Sequence, residues 1–137
     1  MEYNCMHQSL QALLQNEDDP VSAMANASAL INQSLPDINW VGFYLLRGDT
    51  LVLGPFQGNV ACTRIQIDRG VCGACIRENK TQRVDDVHAF PGHIACDERS
   101  RSELVAPLRT ADGRPFGVLD IDSPVAARFS EEDAREL

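Results

Sequence analysis

A chain of 137 residues, 44% of them hydrophobic, has the size of one domain that buries a core without staples. Asp and Glu number 20 against 12 Lys and Arg, and the formal net charge of -8 repels a phosphate backbone, which argues against nucleic acid as a partner. No run approaches the roughly 20 apolar residues of a membrane span, and Met1 to Leu10 lacks the basic-then-apolar pattern of a secretory signal, so the expected address is cytoplasmic. In that reducing compartment five cysteines, an odd number, point to catalytic, metal-binding or inert thiols and not to a disulfide framework.

In chain order, Leu10, Leu13 and Leu14 give the first 16 residues a short helix of undefined docking. Residues 1–18 are set apart as an N-terminal helical segment, with the domain proper from Asp19 to Leu137. Asp19-Pro20 reads as a cap with proline in the first turn. Val21, Met24, Ser28, Ile31 and Leu35 then form one mostly apolar stripe on a helix that ends before Pro36 and should lie on a sheet.

Asn39 to Arg47 and Thr50 to Leu53 read as strands of a hairpin turned at Gly48-Asp49. Pro55, Gly58 and Asn59 mark Gly54 to Ala61 as a loop long enough to act as a lid. After it Cys62 opens a short strand, Thr63 to Ile67. Val71 to Asn79 is a helical turn or two entered through Gly70, Gln82 to Val84 is briefly extended, and Asp85 to Arg101 is irregular. Ser102 to Arg109 and Arg114 to Ser123 form a second hairpin through Ala111-Asp112-Gly113. A last helix starts at Ser130, and the chain stops at Leu137, early in what should be a long element. The expected class is α+β with a central antiparallel sheet.

Three groupings carry chemistry. Cys96 lies in a polar loop, Gly92 to Asp97, with Asp97 and Glu103 near it in sequence. A carboxylate beside a thiol raises its pKa, which suits a thiolate whose target must receive protons as it is attacked. Strand alternation puts Asp120 and Asp122 on one face, either a solvated edge or, with Glu103, a pocket that binds an ammonium group and keeps one acid protonated. Trp40, Gly42 and Tyr44 share a face too, the aromatic α-carbons about 13 Å apart, either as core rings or as a slot for a methyl group.

Cys72-Gly73-Ala74-Cys75 heads a helix, where the dipole lowers a thiol pKa. A thioredoxin-like dithiol belongs after a strand of a βαβ unit, which is not found here. Cys72, Cys75, His88 and His93 match a small zinc finger in spacing only: Asn79 and Asp85 fall where its core needs apolar residues, and Pro91-Gly92 breaks its helix. Cys62, Cys72 and Cys96 all occupy settings in which a thiol is reachable.

The motifs WVGFYLL from Trp40, LVLGPFQG from Leu51, Ala61-Cys62, GVCG from Gly70, GHIACD from Gly92, Ser102-Glu103 and GVLDIDS from Gly117 together resemble the free methionine-(R)-sulfoxide reductases. These are built on a GAF domain, and the likeness runs from about Asp19 to the end. It implies a six-stranded antiparallel sheet with helices packed on it, commonly in a homodimer, and a role in oxidative stress. Carried over, it makes Cys96 the nucleophile on free L-methionine (R)-sulfoxide and Cys62 the resolving thiol, with Cys72 as a further thiol and thioredoxin as reductant. Glu103, Asp120 and Asp122 would hold the substrate amine and protonate the sulfoxide oxygen, and Trp40 and Tyr44 would enclose its methyl. No metal or bound cofactor is needed. Cys75 departs from the family pattern, as does Cys5. The competing expectation is a GAF sensor that binds a small molecule without turnover and uses its cysteines as a redox switch.

Overall fold

The computed structural model describes residues 3–90, 92 and 99–137. Its strands are β1 (Trp40–Arg47), β2 (Thr50–Gly58), β3 (Arg64–Gln66), β4 (Gln82–Val84), β5 (Ser102–Arg109) and β6 (Pro115–Ser123). They form one antiparallel sheet in the order β3-β2-β1-β6-β5-β4. Both hairpins fall where the turn residues put them, and β6 lies in the centre of the sheet. That position excludes the solvated-edge reading of its two aspartates.

The helices are α1 (Tyr3–Leu14), α2 (Pro20–Ser34), α3 (Gly70–Glu78) and α4 (Glu131–Glu136). Asp19 caps α2 by accepting from the Val21 N–H at 2.9 Å, and Leu35 closes it by donating to the Ile31 carbonyl. Ser28, Ile31 and Leu35 of the expected stripe are buried, whereas Val21 is 62% exposed. A repeat of three and four drifts around a 3.6-residue helix, so one end of the stripe leaves the sheet.

Helices α1, α2 and α4 cover one face, where Tyr3, Met6, Ala27, Ile31 and Phe129 pack against Val41, Phe43, Leu104, Leu119 and Ile121. On the other face α3 packs Val71, Cys72, Cys75 and Ile76 against Trp40, Tyr44, Leu51, Val105 and Val118. Each fully buried valine or leucine in these layers contributes about 1.5–3 kcal/mol relative to exposure. The docking of α1 is now defined. The Tyr3 hydroxyl donates to Asp133 of α4, whose carboxylate also takes part in a capping box with Ser130, and His7 Nε2 lies 2.8 Å from the Glu136 carbonyl oxygen.

The expected lid from Gly54 to Ala61 is largely absent, because β2 runs on to Gly58. Tyr44 pairs with Leu53 and Gly42 with Phe56, so Gly54 and Pro55 together oppose Phe43 in a β-bulge. A bulge tolerates a proline that donates nothing to the ladder, which is why turn-forming residues sit here inside a strand. Among the described residues, no helix is long and apolar enough to cross a membrane.

Candidate active site

Directly paired residues of an antiparallel sheet project from the same face, so register alone assembles most of the site. One row across the sheet reads Gly58, Trp40, Asp122, Glu103, Val84, and the next reads Phe56, Gly42, Asp120, Val105, Gln82. Both rows face α3. Helix and sheet together bring Cys72 Sγ, a Glu103 oxygen and an Asp120 oxygen within 4.8 Å of one another. Trp40, Tyr44, Glu103, Asp120 and Cys72 are all buried, and Asp122 is half-buried.

Three carboxyl groups in one pocket repel each other and resist desolvation. Among the described residues no lysine or arginine pairs with Glu103 or Asp120. Burial first, then the charges of Asp120 and Asp122, push the Glu103 carboxyl well above its ordinary range. Burial raises Asp120 as well, but hydrogen bonding from Glu103 and Cys72 pulls it back. Among the described residues Asp120 Oδ1 is buried with no hydrogen-bond partner, which leaves a buried acceptor open.

The aromatic residues lean together as the distance between their α-carbons requires. Trp40 and Tyr44 stack with ring centroids 5.9 Å apart and planes at 25°. A methyl group held between two rings needs about 4 Å on either side, so in this state it would lie against the pair and not within it. Trp40 also stacks on Phe56 at 5.2 Å. Sequence alone does not mark Phe56 as a site residue, because a regular hairpin would turn it to the opposite face. The bulge at Gly54-Pro55 shifts the register by one and brings it into the pocket.

Both rings also carry a polar handle. Trp40 Nε1 donates to the Asn59 carbonyl at 3.1 Å, and the Tyr44 hydroxyl donates to the Cys62 carbonyl at 2.9 Å. The short connection from Asn59 to Thr63 is thus tied at two points to the aromatic wall. Burial, followed by the nearby charge of Asp120 and Cys72, keeps the Tyr44 hydroxyl protonated far above the usual tyrosine range.

Among the cysteines, Cys62 is disulfide-bonded, and Cys5, Cys72 and Cys75 are free. Cys96 and Asp97 lie outside the described residues, as does His93. Cys72 is not the reachable, acidified thiol expected at a helix start. It lies on the buried face of α3 with 3% exposure, and burial followed by Asp120 and Glu103 pushes its pKa well above the ordinary value. Desolvation and two carboxylates outweigh a dipole effect that is confined to the first turn. Cys75 is pushed up to about 12, by burial against a smaller opposing pull from Arg109. Neither Cys75 nor His88 belongs to the cluster of potential ligand atoms formed by Cys72, Glu103 and Asp120, so the zinc-finger spacing has no spatial counterpart among the described residues.

Comparison with known proteins places this geometry. The GAF domain family matches residues 19–137. The free methionine-R-sulfoxide reductase of Escherichia coli is 52% identical over 135 residues, covering 98% of this chain and 81% of the relative. The reduced form of fRMsr of Staphylococcus aureus superimposes with a TM-score of 0.94 at 47% identity, over 98% of this chain and 87% of that one. The free methionine-R-sulfoxide reductase of Neisseria meningitidis, in complex with its substrate, does so with a TM-score of 0.93 at 45% identity, over 98% and 80%.

Proposed function

Because the chain belongs to the free methionine-R-sulfoxide reductases, which are built on the GAF domain, we propose that it reduces free L-methionine (R)-sulfoxide to L-methionine, with two of its own thiols as the electron source. Cys96 attacks the sulfoxide sulfur while Glu103 gives its proton to the sulfoxide oxygen. The sulfur–oxygen bond of the substrate then breaks, the oxygen passes as hydroxyl to the Cys96 sulfur, and methionine leaves as the thioether with Cys96 left a sulfenic acid. Cys62 then attacks the Cys96 sulfur, water departs, and a Cys62–Cys96 disulfide is left. A dithiol of the thioredoxin type takes up that disulfide by exchange and restores both thiols. Electrons pass from thiol to sulfoxide throughout, so the cycle calls for no metal or bound cofactor.

The observation that carries this reading is the pairing, in one buried pocket, of a Glu103 carboxyl that burial and its acidic neighbours push well above the ordinary range with an Asp120 oxygen that lacks a partner among the described residues. The first supplies the proton without which oxide is a hopeless leaving group. The second, with Asp122, accepts the substrate's ammonium group, and its demand for a charged donor favours a free amino acid over a residue within a peptide chain. Trp40 and Tyr44 support the methyl end. The disulfide state of Cys62 beside three free cysteines supports Cys62 as the resolving thiol and leaves Cys72 as an auxiliary one.

The test is a single turnover without reductant. Reduced protein given free L-methionine (R)-sulfoxide should yield one methionine per chain and lose two thiols, with Cys62 and Cys96 joined in the peptide map. Cys96→Ser should yield no methionine, and Cys62→Ser should yield one equivalent and a sulfenic acid that dimedone traps. Unchanged thiols together with saturable binding of the sulfoxide would instead establish a binding module and overturn the reading.

A further inference from the structure

The cluster of Cys72, Glu103 and Asp120 has a donor set that a proton shuttle for sulfoxide does not require. A cluster of two carboxyls would satisfy an ammonium group by itself. Here a thiol points at the same spot, with its sulfur and one oxygen from each acid inside 4.8 Å of one another. We propose that this cluster is a binding site for a thiophilic divalent cation, Zn2+, which occupies the pocket of the reduced protein in competition with the substrate's ammonium group.

Geometry, chemistry and an unmet acceptor carry the inference. Tetrahedral zinc bonds sulfur at about 2.3 Å and carboxylate oxygen at about 2.0–2.2 Å, so its ligand atoms stand roughly 3.5 Å apart. Three atoms already within 4.8 Å need move inward by little more than an ångström, and side-chain rotation supplies that. Asp120 is 6% exposed and accepts from Glu103 and Cys72, yet among the described residues its Oδ1 has no partner, so a ligand that accepts an electron pair is favoured at that oxygen. One sulfur and two oxygens leave the fourth position to water. A thiolate in the set selects zinc over the hard cations, since Mg2+ demands six oxygens and keeps most of its waters. On binding, the Cys72 S–H bond and the O–H bond of Glu103 break, both protons pass to solvent, and sulfur and carboxylate oxygen bond the metal with no change in oxidation state.

The competition with substrate rests on the reading of this pocket as the ammonium site, whereas the binding of the cation does not. Access requires the same opening that admits substrate, because all three side chains are covered.

The experiment uses the reduced, metal-free full chain. Zn2+ is titrated against a chromophoric chelator, and Co2+ serves as the optical probe, since a cobalt–thiolate bond gives a near-ultraviolet charge-transfer band. The expected result is one equivalent bound, with that band present in the wild type and in Cys62→Ser and abolished in Cys72→Ala. Asp120→Asn should weaken zinc by about tenfold or more, the scale of losing a ligand or its support. Circular dichroism of both variants checks that they fold, and either one suffices if the other does not. Free methionine sulfoxide should raise the apparent dissociation constant for Zn2+, and Mg2+ should not displace it. A band that survives in Cys72→Ala, or the absence of stoichiometric zinc, overturns the site. Normal turnover in saturating zinc would overturn the competition while leaving the reductase reading intact. Zinc bound with the thiolate signature in a protein that reduces no sulfoxide would overturn the reductase reading instead.

Discussion

Gly42 and Asp120 stand directly opposite each other on neighbouring central strands, and the space left by the missing side chain of the first is filled by Phe56 and Trp40. A Cβ on Gly42 would overlap the Phe56 side chain and come within 2.8 Å of Trp40 Cη2. Gly42→Ala must therefore shift the backbone of β2 at Phe56 as well as the Trp40 ring. The expected destabilisation is about 1–3 kcal/mol, the usual cost of overpacking, with a parallel loss of turnover. Urea unfolding measures it, and an unchanged midpoint would show that the rings move aside freely.

The buried acids fix how stability depends on pH. Glu103 and Asp120 are raised from ordinary values of 4.5 and 3.8, so between those values and their folded ones the native state holds more protons than the unfolded chain. Their contribution is full below the ordinary values and is lost as pH rises through the folded ones. Glu103→Gln should flatten the fall in stability above about pH 5, a bound set by the unperturbed carboxyl range, and should slow the chemical step strongly. Unfolding free energies across pH 5 to 8 provide the measurement; equal slopes in both proteins would remove Glu103 as the proton carrier.

Asp133 acts in the opposite sense. Although burial pushes it up, hydrogen bonds from Tyr3 and Ser130 and the charge of Arg128, whose Nη1 lies 3.2 Å away, hold it below its ordinary value. Stability from this group is present above the unfolded value of 3.8 and fades as pH drops through the lower folded one. Tyr3→Phe should cost about 1 kcal/mol, the net worth of one hydrogen bond, and should leave single-turnover yield unchanged. Thermal melts at pH 7 and pH 3 should show the deficit shrinking at the lower pH.

Thiol reactivity separates the cysteines by burial. In the reduced native protein, iodoacetamide should modify the exposed Cys5 ahead of Cys72 and Cys75. Cys72 and Cys75, at 3% and 0% exposure with raised pKa values, should react only slowly until the chain is denatured. Mass spectrometry of timed samples reads this directly. Rapid labelling of Cys72 would mean that its pocket stands open in solution.

Tyr44→Phe keeps the ring and deletes the hydrogen bond to the Cys62 carbonyl. Loosening of the segment from Asn59 to Thr63 should increase the alkylation rate of reduced Cys62 several-fold and slow formation of the disulfide after turnover. Stopped-flow thiol counting distinguishes that outcome from an unaltered rate, which would leave the tether without consequence.

Local pattern determined the hairpins, the capped second helix, the alternation of Trp40, Gly42 and Tyr44, and the pairing of Asp120 with Asp122 on one face. All of these follow from periods of two and 3.6 residues and from turn chemistry acting over a few positions. Tertiary structure decided the rest. Only strand order shows that β6 is central, and hence that Asp120 is buried and Asp122 half-buried beside Glu103 and not solvated at an edge. Only the bulge at Gly54-Pro55, which sequence presents as a lid, turns Phe56 onto Trp40. And only the packing of α3 against the acid row reverses the sign of the perturbation at Cys72, because a helix dipole is readable from position in the chain, whereas desolvation and the charges across a pocket depend on what the fold brings to lie there.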